Sequence, residues 1–334
     1  MRAARVALAL VAIAAAAVAV FLAPRWDAVG DIRGAKAGVF FIAILALNIV
    51  TGYTGQISLG HGAFMAVGGY TTAILVDHGV RDLWTIPLAG LVGAVAGLIV
   101  GVPALRLTGL YLALVTFGLA VATPQILKWD KVEGLTGGNG GIQLFGKDEL
   151  TGKGFADVEL FGQTLTFNRA VYYLTWAVAA VVLLVAWLIL RGGAGRAFRA
   201  VRDSEIAAAA SGVNLAVYKT TAFAISAFFA GVAGSLLVIS VAFVNPETFP
   251  VALSLTLVVG AVVAGLGSLW GTLAGAIFIT FLPTWVGHIS KAPGAPDTFY
   301  GLAVILLMLL LPLGVAGGVR RLLNPLTTRL YTRS

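Results

Sequence analysis

Residues 52–64 read GYTGQISLGHGAF and lie inside a forty-residue run, Ala37 to Val76, that contains no Asp, Glu, Lys or Arg. The stretch adds four glycines and several uncharged polar side chains to this apolar run. Non-helical backbone at membrane depth is tolerated only where it is buried in protein or lines a wet cavity. The stretch therefore predicts a break between two apolar helices. The sequence leaves open whether this break re-enters the bundle or is a simple cytoplasmic turn.

The composition excludes a soluble domain. Of 334 residues, 59% are hydrophobic and 11% are charged, whereas soluble domains carry about 25% charged residues. Apolar segments long enough for membrane helices follow one another along the chain. We predict an all-α polytopic membrane helix bundle forming a single domain over residues 1–334. About ten passes are predicted, at 5–23, 36–52, 61–77, 84–101, 104–127, 169–190, 219–243, 250–266, 269–289 and 298–316. The basic, apolar start is similar to a signal peptide, but an uncleaved first span is favoured.

The basic residues predict the orientation. Alternating passes place both termini, Arg106 and the loop 191–218 on one side, and the long segment 128–168 on the other. The first side carries twelve of the 22 Lys and Arg residues but two of the 14 acids. The positive-inside rule makes that side cytoplasmic. We expect a multi-pass protein of the cytoplasmic membrane, with both termini cytoplasmic and a basic face against anionic lipid headgroups rather than nucleic acid.

The spans carry little that could perform chemistry. Apart from acids and bases close to their ends, the spans contain only His61 and His288 as candidate ionisable groups, whereas ion-coupled carriers and voltage sensors place acids or arginines inside their spans. There is no cysteine, and the three histidines are scattered, so no metal site and no cofactor is expected. The segment GIQLFGKD, 141–148, fails as a phosphate loop because Asp148 stands where a hydroxyl should bind Mg²⁺. An enzyme is disfavoured, and uphill transport would need energy from a partner.

Two glycine-rich breaks supply candidate residues for a solute pathway. The second is GLGSLWG, 265–271, and it shares a G-x-x-x-x-G rhythm with the first, a weak sign of an internal repeat with broken or re-entrant helices. Transporters often build sites from such half-helices. A cytoplasmic turn with small-residue packing is the competing interpretation, and glycines spaced by four at Gly93, Gly97 and Gly101 indicate packing seams. The candidate pathway residues are Asn48, Gln56, Ser58, His61, Gly265 and Ser268.

The segment 191–219 reads RGGAGRAFRAVRDSEIAAAASGVNLAVYK and is too polar to span. Asp203 or Ser204 can cap a short helix, with Glu205 in its first turn and Gly212 at its end. The result is a small-sided helix flanked by arginines and presented to the cytoplasm. A docking helix for a soluble partner is favoured over a helix lying on lipid, which would carry Leu or Phe in place of alanines.

At this point the chain resembles a known family, the permease subunits of branched-chain amino-acid ABC transporters of the LivH/LivM type. Five ordered stretches after about residue 35 carry the resemblance, and the long segment 128–168 favours the M-type subunit. These stretches are NIVTGYTGQISLGHGAFMAVGGYTTAIL, RLTGLYLALVTFGLA, LTGGNGGI, GRAFRAVRDSEIAAAASGVNLAVYKTTAFAISAFFAGVAGSL, and NPETF followed by VVAGLGSLWGTLAGAIF.

The resemblance implies a permease subunit of an importer for Leu, Ile and Val. It would pair with a paralogous permease, two cytoplasmic ATP-binding subunits and an external solute-binding protein. The family's coupling loop corresponds here to Arg199, Asp203, Glu205, Ala208 and Gly212. Its outer-loop motif falls on Thr136, Gly137, Gly138 and Asn139. The solute stays open, because relatives with similar motifs carry urea, other amides or other neutral amino acids. A stand-alone channel or facilitator for a small neutral solute is the second hypothesis.

Overall fold

The protein is described by a computed structural model over residues 28–105, 107, 109–145, 159–160, 163–164, 166–289, 295–311 and 313–318. Seven helices in this part of the chain are long and apolar enough to cross a membrane. This confirms an all-α polytopic membrane bundle. The predicted first pass, 5–23, lies outside the described residues, and the other nine predicted passes coincide with helices. The total of ten passes and the cytoplasmic position of both termini stay predictions.

The elements follow one another in a nearly all-helical order. The helices are α1 Ala28–Asn48, α2 His61–Asp77, α3 Asp82–Ala104, α4 Leu110–Leu127, α5 Asp130–Thr136, α6 Phe167–Arg191, α7 Gly193–Asp203, α8 Glu205–Ala210, α9 Leu215–Val241, α10 Val251–Ala264, α11 Gly271–Ile289 and α12 Ala295–Leu310. Short strands are β1 Ile142–Gln143, β2 Glu159–Leu160, β3 Gln163–Thr164 and β4 Phe243–Val244. A π-helical turn, Ile49–Tyr53, extends α1, and 3₁₀ turns occupy Gly138–Gly140 and Pro246–Thr248.

Two helices form the centre of the bundle. Helices α1 and α9 are mostly buried, whereas α4, α6 and α12 expose most of their surface. Helix α9 packs against α1, α2 and α3, and α1 also packs against α6. Helices α10 and α11 pack together and against α1. The exposed faces carry large apolar side chains such as Leu114, Leu184 and Leu309, as expected of surfaces that meet lipid or another membrane subunit.

Glycines let the central helices approach to backbone contact. A Cβ on Gly93 would lie 2.5 Å from the carbonyl oxygen of Ala227 in α9, and a Cβ on Gly97 would lie 2.8 Å from that of Phe223. Gly231 of α9 faces the Ala89 carbonyl of α3 in the same way, at 2.5 Å. Because helix association in membranes depends on such close packing, these residues determine the spacing of the core. The predicted packing seam at Gly93, Gly97 and Gly101 is confirmed.

One face of the bundle is closed by two loops that are far apart in sequence. Strand β1 pairs antiparallel with β4, with Ile142 opposite Val244. The 3₁₀ turn after β4 carries a capping box between Asn245 and Thr248. The ring of Phe249, which follows this turn, packs on Gly69 of α2. The two motifs LTGGNGGI and NPETF therefore form a single structure at the end of α2 opposite to His61.

Candidate functional site

The stretch 52–64 is a break between two helices that packs inside the bundle. Helix α1 widens into the π-turn at Ile49–Tyr53, and residues 54–60 continue without helix until α2 begins at His61. Leu59 N donates to Thr116 Oγ1 over 2.9 Å, about 9 Å along α4 from its first residue. Gly62 N donates to Ser254 Oγ of α10 over 2.9 Å. Helices α4 and α10 therefore hold the end of the break within the bundle, and its depth in the membrane stays a prediction.

The side chains of residues 54–60 alternate between the interior and an open surface. Thr54, Gln56 and Ser58 are buried, whereas Gly55 and Ile57 are exposed, and Ile57 keeps 45% of its surface accessible. The backbone here is irregular, with Gly55 at a φ of +73°. The buried polar groups bond the break itself: Thr54 Oγ1 donates to Val50 O over 2.6 Å, and Gln56 Nε2 donates to Thr54 Oγ1 over 2.8 Å. They satisfy groups that a continuous helix would have paired.

His61 joins the start of α2 to the two central helices. Ser226 Oγ of α9 donates to Ala46 O of α1 over 2.6 Å, so its one proton is already committed. Ser226 must then accept from His61 Nε2, which lies 2.7 Å away. His61 Nδ1 faces Ser58 Oγ at 3.1 Å and accepts its proton. The hydrogen-bond directions thus assign the proton of the ring to Nε2 and link α1, the break, α2 and α9.

The second break is the turn between α10 and α11, and it contacts the first. Gly265 and Gly267 adopt φ values of +93° and +80°, where a side chain would be strained. Asn48 Oδ1 accepts from Gly267 N over 2.7 Å, and Asn48 Nδ2 donates to Ser268 O over 2.9 Å. Gly52 lies so close to Asn48 and to Gly267 N that a Cβ would not fit. The two breaks therefore form one junction.

The predicted outer-loop residues form a compact turn. Thr136 is buried, and its hydroxyl donates to Leu127 O over 2.8 Å, which ties α5 to the end of α4. Gly137 and Gly138 have positive φ, and Asn139 is exposed. A pocket of about 380 Å³ opens beside the turn, lined in part by Asp77, Leu135 and Phe145. Exposed Leu135 and Phe145 give this face an apolar character.

The segment 191–218 contains the predicted short helix, α8, and a second helix, α7, that the sequence analysis did not predict. Ser204 caps α8, accepting from Ala207 N over 3.2 Å. Gly212, with a φ of +82°, follows the end of α8. Arg199 Nη1 donates to Leu190 O over 3.2 Å, and Asp203 is exposed at the end of α7. Ala208 is buried between its exposed neighbours. The capping prediction is confirmed, while a docking role for these residues stays a prediction.

Two residues of this region escaped the sequence analysis. Ile206 in α8 is 85% exposed, although it is the largest apolar side chain of that helix. Lys219 in α9 is 5% exposed and pairs with Glu205, Nζ to Oε1, over 2.6 Å. The ion pair fixes α8 against α9, so Ile206 is displayed on a held helix. The isoleucine between an acid and four alanines is a local pattern from which its exposure could have been predicted. No local pattern indicates that Lys219 pairs with Glu205.

The predicted pathway residues are brought together, but not as an open lining. Asn48, Gln56, Ser58 and His61 are buried within the chain, and Gly265 and Ser268 lie across the junction from Asn48. The open surface of the first break belongs to Gly55 and Ile57. Among the described residues, no group of His, Cys, Asp and Glu side chains could hold a metal ion.

Residues 35–311 match the family model described as branched-chain amino acid transport system / permease component. The chain belongs to this family. The high-affinity branched-chain amino acid transport system permease protein LivM of Salmonella typhimurium strain LT2 is 38% identical over 255 residues, and so is LivM of Escherichia coli strain K12. Each alignment covers 72% of this chain and 60% of the relative, so the chain spans less than two thirds of the LivM proteins it matches.

A more distant permease extends the comparison. The ribose import permease protein RbsC of Haemophilus influenzae strain Rd is 27% identical over 235 residues, covering 68% of this chain and 67% of the relative. No solved structure gave a significant match. The expected family, LivH/LivM-type permeases with likeness to the M-type subunit, is therefore confirmed.

Proposed function

We propose that this chain is a permease subunit of an ABC importer in the cytoplasmic membrane and carries branched-chain amino acids. The family match and the two LivM relatives support the solute class. The observation that carries the mechanism is helix α8, whose Ile206 is 85% exposed on the side predicted to be cytoplasmic. Helix α8 is otherwise small-sided and is held by the Glu205–Lys219 ion pair, so it displays this one apolar side chain in a fixed position that suits docking to a protein. The partner that fits is an ATP-binding subunit.

The proposed importer contains a second, paralogous permease, two cytoplasmic ATP-binding subunits and an external solute-binding protein. Acids and lysines occur only at the ends of the predicted spans, which supports an external energy source. The exposed Leu135 and Phe145 near the outer turn offer a contact surface for the binding protein. Lipid covers the remaining apolar faces.

In the proposed pathway, the exposed side of the first break faces the solute. Gly55 and Ile57 supply an uncharged surface, which would release a zwitterion readily. Asn48, Gln56, Ser58 and His61 act from behind, because their hydrogen bonds hold the two breaks in their non-helical form. Gly265 and Ser268 hold the second break against it.

The test is uptake by the reconstituted importer. Proteoliposomes are prepared with both permeases and the ATP-binding subunits, and the solute-binding protein is added outside the vesicles. They should accumulate radiolabelled leucine only when ATP is supplied inside. Urea and ribose serve as competing solutes, since the ribose permease is also a relative. Accumulation of another solute alone would change the cargo and keep the mechanism. Downhill flux without ATP-binding subunits would reject the importer and favour the channel.

A further inference from the structure

The segment 191–218 reaches the first break through one side chain, Arg202. Arg202 lies in the last turn of α7, and its Nη1 donates to the carbonyl oxygen of Gly52 over 2.6 Å. Gly52 belongs to the π-turn that ends α1, where carbonyl groups lack further helical partners. A charged donor on a carbonyl makes a stronger hydrogen bond than a neutral one. The contact therefore joins a surface helix to the end of a central helix.

The same guanidinium lies against the second break. A Cβ on Gly267 would come within 2.8 Å of Arg202 Nη1 and within 3.2 Å of Gly52 O. The aliphatic part of Arg202 passes Gly55, where a Cβ would lie 3.4 Å from Cγ. Both glycines have positive φ, and their missing side chains leave the space that the arginine uses. One side chain thus touches both breaks at their junction.

Helix α8 follows α7 directly, and the two helices are bonded at their joint. Ser204 N donates to Ala200 O over 3.0 Å, and Ser204 O accepts from Ala208 N over 2.9 Å. Arg202 is separated from α8 by only two residues. These bonds leave Ser204, with φ −164° and ψ 115°, as the single joint between the two helices, so a translation of α8 pulls on the end of α7 that carries Arg202. A displacement of Arg202 leaves the Gly52 carbonyl without its donor.

We infer that Arg202 is the positioning residue that transmits movement of α8 to the two breaks at Gly52 and Gly267. This inference rests on the proposed function, because it assigns the step between the ATP-binding subunits and the pathway. Arg202 touches no solute in this role. A purely structural role would be to cap the π-turn, and it would affect folding rather than the ratio of transport to ATP hydrolysis.

The test compares variants in proteoliposomes that hold the complete importer, with ATP hydrolysis and leucine uptake measured in the same vesicles. Arg202→Ala should lower leucine transported per ATP hydrolysed by about fivefold or more, with ATP-binding subunits still bound. Arg202→Lys should recover part of this ratio, because an ammonium group can still donate to Gly52 O. Arg196→Ala is the matched control, since it removes the same charge from an exposed position of α7 and should leave the ratio at the wild-type value.

Two outcomes for Arg202→Ala overturn the inference: an unchanged ratio, or loss of the ATP-binding subunits. If the variant permease does not fold, hydrogen exchange on the wild-type importer replaces it. A non-hydrolysable ATP analogue should then change protection in residues 193–203 and 49–60 together, and a change confined to 193–203 overturns the inference. Wild-type vesicles that show no ATP-dependent uptake of any solute would reject the proposed function itself, before any variant is compared.

Discussion

Asn48 and Gly267 are hydrogen-bonded across 219 residues of sequence, with Gly267 N donating to Asn48 Oδ1 over 2.7 Å. The other end of the amide donates to Ser268 O, so both groups of the side chain hold the second break. A broken helix in a membrane must find partners for its free backbone groups within the protein. Here the end of α1 supplies them to the turn between α10 and α11.

Replacing Asn48 should destabilise this junction. Asn48→Leu keeps the size of the side chain but leaves Gly267 N and Ser268 O without their partners. We expect the free energy of unfolding to fall by about 2 kcal/mol or more, since each buried unpaired group costs about 1–3 kcal/mol. The check is the midpoint of thermal unfolding in detergent. Asn139→Ala, an exposed position of the outer turn, is the control and should leave the midpoint unchanged.

The glycines of the core differ sharply in the space around them. Gly231→Ala would drive a methyl group to within 2.5 Å of Ala89 O, so α9 and α3 must separate. Gly118 in α4 has open space where its Cβ would stand, and Gly118→Ala should be neutral or stabilising by up to about 1 kcal/mol. The thermal midpoint should therefore fall for Gly231→Ala and stay the same or rise for Gly118→Ala. Equal losses would contradict the packing described for α3 and α9.

The contribution of the His61–Ser226 hydrogen bond to stability can be measured by comparing two serine-to-alanine variants of α9. Ser226→Ala removes the acceptor of His61 Nε2, and we expect a loss of about 1–3 kcal/mol in unfolding free energy. Ser240 is also buried in α9, but its hydroxyl bonds only Leu237 O within the helix. Ser240→Ala should cost less than half as much. Chemical or thermal unfolding of both variants, followed with the same probe, measures the two losses. Equal losses would mean that the bond to His61 adds no stability.

Ile206 should contribute to binding of an ATP-binding subunit without contributing to folding. Ile206→Asp places a charge on a side chain that is 85% exposed, so the thermal midpoint should stay at the wild-type value. A loss of about 2 kcal/mol in binding, typical of an interface hot spot, corresponds to roughly thirty-fold weaker association. Binding of the purified ATP-binding subunit to the permease in nanodiscs gives this number. Normal binding by a folded variant would remove α8 from the interface.

The ion pair between Glu205 and Lys219 should hold α8 in its orientation. Glu205→Gln leaves the ammonium group of Lys219 buried without its carboxylate, which is costly. We expect Glu205→Gln to weaken binding of the ATP-binding subunit. The exchanged pair, Glu205→Lys with Lys219→Glu, restores opposite charges and should recover at least half of this loss in binding free energy. A double-mutant cycle measures the coupling between the two positions. No recovery in the exchanged pair would mean that each residue acts independently.

Part of this structure could be predicted from the sequence. Charge-free runs predict the helices, and glycine with polar residues at 52–64 predicts the break, because hydrophobicity and backbone freedom are local properties. The alternation of Thr54, Gln56 and Ser58 with Gly55 and Ile57 was a further local signal, and in the structure the polar groups lie inside. The alternation alone does not show which of the two faces is buried, because burial depends on how the helices pack.

The contacts of the breaks could not be predicted in this way. The partners of Asn48, His61 and Gly52 lie 219, 165 and 150 residues away, at Gly267, Ser226 and Arg202. Any of several polar residues in the spans would satisfy the same local pattern. The three-dimensional packing of α1, α9 and α10 selects among them, and a single sequence does not encode that choice in any short motif.

In the proposed importer, the open side of the first break lines a water-accessible path controlled by ATP. The chain has no cysteine, so Ile57→Cys creates a single reactive thiol. In the reconstituted importer, a charged, membrane-impermeant thiol reagent should modify this introduced thiol, and a non-hydrolysable ATP analogue should change the rate at least fivefold. Leu184→Cys, on the exposed apolar face of α6, should remain unreactive. Equal reactivity of the two variants, unaffected by nucleotide, would contradict the account.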